Sequence, residues 1–265
     1  MPRELPGLDV LLPLDRAGEH LAPAAGEPAL HALYAHPDPH PGRTSAVRAN
    51  MIATVDGSAQ GPDGRSRSIN GPADWRAFRV QRAVADVVLV GAGTARDEGY
   101  TPLSVPADLR EARADRGQRP DLALAVVTLS GDLPDGLHGT DRPPYVVTAA
   151  SCPRLAELRA EIGEERVLVA GDRTVDLAVA LDALAERGLT RVLAEGGPRL
   201  LSDLLHAGLV DELCLSTSPL VVAGPALRPV HGAAWLDPVQ RAAPAHLLHH
   251  DGMLLGRWTL TAPAS

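Results

Sequence analysis

Hydrophobic and polar positions alternate along residues 47–55, a stretch rich in strand formers that ends at the turn signal Asp56-Gly57, so a strand is predicted there. Residues 61–71 are a polar, glycine-punctuated loop. Gly71-Pro72 opens a predicted helix over 72–85, on which Trp75, Phe78, Arg79 and Arg82 fall at helical spacing. Residues 86–90 are a short apolar run, the mark of a strand buried on both faces. Further strands are predicted at 122–129, 145–148, 167–170 and 191–194, with helices at 152–161, 177–187 and 199–207. A long strand is expected over 209–222, then a hairpin of 245–250 with 254–260 around Asp251-Gly252. This alternation predicts an α/β fold: a mixed, mostly parallel sheet flanked by helices, with a C-terminal antiparallel hairpin at one edge.

Residues 1–45 have a different texture. They are rich in proline, alanine and histidine, as in Ala35-His36-Pro37-Asp38-Pro39-His40-Pro41, and read as an irregular N-terminal extension. Residues 46–265, without internal repeat or linker, then form one domain. Nothing fixes the geometry of His31, His36 and His40, so no metal is expected. The first residues lack a basic-then-apolar signal pattern, and no apolar run approaches the roughly 20 residues that span a bilayer, so a cytoplasmic protein without membrane contact is expected. Cys152 and Cys214 supply neither a disulfide framework nor a thiolate zinc site and are expected to be packing residues.

Charge narrows the ligand. A net charge of -8 argues against nonspecific nucleic-acid binding. Between Arg43 and Arg96, however, arginines outnumber aspartates, a local cationic excess in an acidic chain. Arginine forks suit phosphate oxygens, which makes a phosphorylated ligand the natural partner of this region.

Two strand-to-helix junctions carry the chemistry. In Val192-Leu193-Ala194-Glu195-Gly196-Gly197-Pro198-Arg199-Leu200 an apolar strand runs into a glycine pair and then a proline-started helix. Paired glycines let backbone approach a bulky ligand, and the helix start offers unpaired N–H groups to an anion. Val87-Val88-Leu89-Val90-Gly91-Ala92-Gly93-Thr94 repeats that logic, with a hydroxyl that can cap a helix or meet a phosphate. Neither is a GxGxxG motif, and either alone could be a tight turn without a ligand; two in one domain suit a dinucleotide. A third segment, Ala53-Thr54-Val55-Asp56-Gly57, leads into the polar loop holding Arg65, Ser66 and Arg67.

These segments occur in an order that resembles the riboflavin-specific pyrimidine reductases. Arg48-Ala49-Asn50-Met51-Ile52-Ala53-Thr54-Val55-Asp56-Gly57, followed by Ser66, Ile69 and Gly71-Pro72, is similar to that family's opening. Arg82-Ala83-Val84-Ala85-Asp86 running into Val90-Gly91-Ala92-Gly93-Thr94, then Pro102-Leu103, continues the likeness. Glu195-Gly196-Gly197-Pro198, Leu204, Ala207-Gly208-Leu209-Val210-Asp211-Glu212-Leu213 and Pro219 complete it. The resemblance implies a dihydrofolate-reductase-like fold, NADPH as hydride donor, and reduction of a ribosylaminopyrimidine 5′-phosphate to its ribitylamino product. It implies that Ile52 and Ala53 line the nicotinamide, and that Gly91, Gly93, Thr94, Glu98 and the segment Gly196, Gly197, Pro198, Arg199, Leu200 hold the cofactor. Asn50, Ser66, Arg82, Leu103 and Glu195 would face the substrate, and a homodimer is common in such proteins. The Gly196–Gly197 peptide is where a cis bond is expected.

Hydride addition to an imine or carbonyl carbon leaves the adjacent heteroatom in need of a proton, which a carboxyl group or a water it positions can supply. Asp56, Glu98 and Glu195 are the candidates at strand ends, and the sequence does not choose among them. Arg82 is a candidate partner of the 5′-phosphate, or else half of an ion pair.

The chain also departs from the family pattern. Asn50 stands where lysine is common, and Asp97-Glu98-Gly99-Tyr100-Thr101-Pro102 carries one residue more than the usual acid-acid-proline, which leaves the alignment of Glu98 open by one position. No arginine follows Leu103 in the usual place. These departures keep two alternatives open: an NADPH-dependent reductase of dihydrofolate or another pteridine or carbonyl compound, and an NADPH-binding protein without catalysis. Residues 1–45 contain no His-x-Glu and no cysteine pair, so a zinc deaminase site is not expected there.

Overall fold

In the computed structural model, residues 5–261 are described. Eleven strands form one sheet: β1 (Leu8–Leu12), β2 (His20–Leu21), β3 (Ala46–Thr54), β4 (Val87–Gly91), β5 (Ala123–Val127), β6 (Tyr145–Thr148), β7 (Val167–Val169), β8 (Arg191–Ala194), β9 (Glu212–Ser218), β10 (Arg241–His250) and β11 (Met253–Thr261). Their order across the sheet is β2-β1-β10-β11-β9-β3-β8-β4-β5-β6-β7. Every pairing from β9 to β7 is parallel, and those from β2 to β9 are antiparallel. The expected α/β class, mostly parallel with a closing hairpin, is the one observed. Among the described residues no helix is long and apolar enough to cross a membrane.

The helices are α1 (Pro28–Leu33), α2 (Pro72–Val84), α3 (Ala92–Asp97), α4 (Arg110–Ala114), α5 (Leu155–Ile162), α6 (Leu177–Ala185) and α7 (Pro198–His206). Strand residues point alternately to the two faces, which explains why the central strands read as unbroken apolar runs. Val88, Val90 and Leu193 join the core under α2, where Ala73, Ala77, Val80 and Ala83 pack. Val87, Leu89 and Val192 join the opposite core, filled by Leu181 and Leu184 of α6 and Leu201 and Leu204 of α7.

Three expectations are corrected. The expected irregular extension over 1–45 is not what residues 5–45 form: β1 and β2 extend the sheet, α1 packs on α2, and Leu8, Val10 and Leu30 are fully buried. Buried arginines capture this segment's carbonyls. Arg76 of α2 donates to the carbonyls of Pro6 and Leu21, both at 2.7 Å, and pairs with Glu27 at 2.6 Å. Arg48 of β3 donates to the carbonyls of Tyr34 and Ala35 and pairs with Glu212, also at 2.6 Å. Proline density removes backbone donors, and the side-chain forks satisfy the acceptors that remain.

The strand expected over 209–222 is only β9. Leu209 turns back onto α7, and after Ser218 the chain leaves the sheet at Pro219, with the Val222 and Ala223 N–H groups taken by Asp56. The hairpin is longer than expected. Pro244 sits at a register shift between β10 and β11, so it bends the strand without ending it, and Asp251 and Gly252 take the positive φ values (46° and 78°) that the tight turn requires.

Candidate active site

The parallel trio β3-β8-β4 builds the site. Val87 of β4 and Val47 of β3 both register with Val192 of β8, so the two glycine junctions leave neighbouring strands at the same end of the sheet. There the Gly91 N–H donates to the Gly196 carbonyl at 2.9 Å, and the Glu195 N–H to the Leu89 carbonyl at 3.0 Å. The Gly196–Gly197 peptide is cis, as expected. A cavity of about 1700 Å³ opens over these junctions. Pockets for one drug-sized ligand hold roughly 300–1,000 Å³, so this one has room for two molecules side by side.

Most residues singled out from the sequence line this cavity: Asn50 and Ile52 from β3; Ser66 from the polar loop; Arg82 from α2; Gly91, Gly93, Thr94 and Glu98 from the first junction; Leu103; and Glu195, Gly197, Pro198, Arg199 and Leu200 from the second. Ala53 and Gly196 do not line it; Ala53 is buried within β3, and Gly196 contributes its carbonyl to the sheet end. Asp56 is outside the cavity altogether. Its carboxylate accepts the Thr54 hydroxyl and the N–H groups of Ala223 (2.7 Å) and Val222 (3.2 Å), which hold it below the usual carboxylate range. The Asp56-Gly57 turn thus aims the acid sideways onto the 219–223 segment, away from the site.

At the centre stands Glu195, 8% exposed. Arg82 meets it as a fork, Nε to Oε1 at 2.7 Å and Nη2 to Oε2 at 2.6 Å. The Tyr100 hydroxyl donates to Oε2 at 2.5 Å. The Arg82 guanidinium lies over the rings of Phe78 and Tyr100, 4.3 and 5.7 Å from their centroids. Burial and the Glu195 charge push the Tyr100 phenol well above its ordinary value. Burial alone would lower Arg82, but the Glu195 charge and hydrogen bonds outweigh it and raise the guanidinium. Arg82 is therefore committed to a carboxylate rather than left free for a phosphate.

Matched as a family, the chain agrees with the description "RibD C-terminal domain" over residues 45–238. The chain belongs to that family. Among its relatives, the 2,5-diamino-6-ribosylamino-4(3H)-pyrimidinone 5′-phosphate reductase of Methanothermobacter thermautotrophicus is 31% identical over 182 residues, 67% of this chain and 79% of that protein. The reductase of the same name from Archaeoglobus fulgidus is 28% identical over 179 residues, 67% of this chain and 82% of that one. In structure it is similar to a pyrimidine reductase-like protein of Corynebacterium diphtheriae, with a TM-score of 0.73 at 24% identity, covering 83% of this chain and 93% of the other.

This RibD-family site contains groups that the sequence reading did not single out. Tyr100 follows Gly99 in the departing segment, and Asp74 and Phe78 precede Arg82 on one face of α2 at i, i+4 and i+8. A carboxylate, an aromatic ring and an arginine repeating every fourth residue were the available signal. Gln81 Nε2 donates to Asn50 Oδ1 at 2.8 Å, so Asn50 is held by α2. Glu98 accepts the Ser66 N–H at 2.7 Å and so ties the polar loop to α3.

The glycines of the two junctions fit a dinucleotide. A Cβ on Gly197 would come within 2.3 Å of the Thr94 hydroxyl, while one on Gly93 would meet nothing within 4 Å and would project into the open cavity. Helix α7 starts behind Gly197 with no side chain capping it. A backbone surface kept clear of side chains, next to unpaired helix N–H groups, is what a pyrophosphate requires.

Proposed function

We propose that this RibD-family reductase uses NADPH to convert a ribosylaminopyrimidine 5′-phosphate into the ribitylaminopyrimidine 5′-phosphate of riboflavin biosynthesis. The observation that carries the reading is a single cavity that joins both glycine junctions to the Glu195–Arg82–Tyr100 cluster. The relatives' activity on a phosphorylated diaminopyrimidinone supports it.

When bound, NADPH supplies the hydride that reaches C1′ of the opened ribose. Gly91, Gly93, Thr94 and the segment Gly197, Pro198, Arg199, Leu200 would hold the cofactor, with Ile52 of β3 beside the nicotinamide. Glu195 accepts three hydrogen bonds from Arg82 and Tyr100, which fixes its oxygens as acceptors for a substrate hydroxyl. Its role is thus orientation of the sugar. The new C–H bond at C1′ takes both electrons of the hydride, the C=N bond becomes single, and the nitrogen takes a proton. Glu98 is the carboxyl placed to relay it: Oε1 holds Ser66, and among the described residues Oε2 has no partner. Asn50, Ser66 and Leu103 complete the substrate wall. Arg67, exposed beside Ser66 and without a side-chain partner among the described residues, supplies a guanidinium for the 5′-phosphate.

The chain would act in the cytoplasm as a homodimer. The exposed apolar residues Val221, Leu220, Trp235 and Val239 along the segment after β9 support a second copy there, and light scattering in solution tests it.

The deciding assay follows NADPH oxidation at 340 nm by the purified protein. It is offered 2,5-diamino-6-ribosylamino-4(3H)-pyrimidinone 5′-phosphate, the deaminated counterpart, and dihydrofolate in parallel. Turnover of a pyrimidine phosphate is the expected result. Turnover of dihydrofolate alone, or of none of the three, overturns the reading.

A further inference from the structure

Asp74 occupies the first full turn of α2 and lines the cavity, yet is only 4% exposed. The cations of its own helix are engaged elsewhere: Arg76 with Glu27, Arg79 with Asp108, Arg82 with Glu195. Its hydrogen bond among the described residues comes from the Ser216 hydroxyl of β9, which donates to Oδ1 at 2.5 Å, and the Asn70 side chain lies close enough to favour the charged form. Burial lifts its carboxyl to about 6, with Ser216 and Asn70 offsetting only part of the rise. A buried carboxylate without a cation is costly, and the cost is recovered only by further hydrogen-bond donors. Among the described residues Ser216 meets Oδ1 and no hydrogen bond reaches Oδ2, and because Asp74 lines the cavity a ligand there can supply further donors.

We infer that Asp74 reads the C2 edge of the pyrimidine and selects the substrate that still carries its 2-amino group. This rests on the reading above that the site takes a ribosylaminopyrimidine phosphate. In the 2-amino pyrimidinone, the exocyclic N–H and the ring N3–H are adjacent donors pointing the same way. That is a planar two-donor fork, the complement of a carboxylate's two oxygens. In the deaminated compound the amino group is replaced by a carbonyl, so an acceptor faces an acceptor across a dry contact. One donor is lost, one carboxylate oxygen stays unpaired, and the two oxygens repel. Sites built around a buried hydrogen bond reject the analogue that lacks it far more strongly than apolar pockets reject a missing methylene. Reduction by this chain would therefore precede deamination, and the next step on its product would be a hydrolytic loss of ammonia from C2.

The test compares kcat/KM for the two pyrimidine phosphates in wild type, Asp74→Asn and Asp74→Ala. Wild type is expected to favour the 2-amino compound on the order of 100-fold or more. Asparagine presents one donor and one acceptor, which matches the carbonyl and N3–H of the deaminated base. Asp74→Asn is thus expected to collapse or invert the preference, and Asp74→Ala to erase it without inversion. NADPH affinity, read by fluorescence quenching, should stay within about twofold in both variants, which shows that they are folded. A wild type that prefers the deaminated compound overturns the assignment. So does an equal loss for both compounds in Asp74→Asn, the signature of a proton donor or of a structural role. No turnover of either compound by wild type overturns the pyrimidine-reductase reading itself; turnover with an unmoved ratio overturns only the part given to Asp74.

Discussion

Arg82 and Glu195 lie 113 residues apart and meet as a two-bond fork at 2.7 and 2.6 Å, on the rim shared by α2 and the end of β8. The pair joins the helix that walls the substrate side to the junction that carries the glycine pair. Glu195→Gln would keep the shape but release Arg82 and weaken the Tyr100 contact. A misplacement of about 1 Å at such a centre costs roughly 100-fold in rate. We expect kcat/KM for the pyrimidine phosphate to fall by about that factor with NADPH affinity preserved; a variant that keeps wild-type turnover would remove Glu195 from the site.

Asp56 gives the converse expectation. Because its carboxylate binds the backbone of the 219–223 segment, Asp56→Ala should lower Tm and leave kcat within about twofold. Steady-state kinetics at a temperature where both proteins are folded decides it. A loss of kcat with unchanged Tm would return Asp56 to the list of acids in the reaction.

At Gly197 an added methyl group would displace the Thr94 hydroxyl, 2.3 Å from the Cβ position. Threonine can rotate away, so Gly197→Ala should fold. It would lose a hydroxyl and narrow the cradle, and KM for NADPH should rise about tenfold, the equivalent of roughly 1.4 kcal/mol. Gly93→Ala meets no protein atom and should leave Tm unchanged while still raising KM. Parallel melting curves and cofactor titrations separate the two effects.

Acid sensitivity follows from a buried imidazole. His246, 1% exposed and edge-on to Tyr34 at 4.6 Å, is pushed down to about 3 by burial first, with Arg257 and Arg48 adding to the shift and Glu212 opposing it. Between pH 6.5 and 3 the unfolded chain binds a proton there that the folded chain does not. This contribution to stability is complete above pH 6.5 and is lost as pH falls. From pH 7 to pH 5 it amounts to about 2 kcal/mol. His246→Phe should flatten the pH dependence of urea unfolding over that interval by about this amount. An unchanged slope would mean that His246 is not neutral in the fold. Asp74 acts with the opposite sign: its raised carboxyl weakens the fold as pH rises through about 6.

The sequence by itself determined the elements whose signals are local. Strands β3 to β8 and helices α2, α6 and α7 follow from periodicity, glycine pairs and proline starts, because a residue's preference for them depends on near neighbours and on burial that its own pattern announces. The same local signals placed Gly91, Gly93, Thr94, Gly197 and Glu195 at strand ends, and the sheet's parallel order then brought them together. Tertiary structure alone decided the rest. That residues 5–45 fold onto the sheet depends on Arg48 and Arg76, whose partners within that segment lie 13 to 70 residues away along the chain. That Asp56 turns out of the site depends on the 219–223 backbone, 166 residues later. That Asp74 is left without a cation depends on Glu27, Asp108 and Glu195 claiming the three arginines of its helix. Charges and hydrogen bonds act over the few ångströms that folding creates, and sequence distance carries no information about which charges will share them.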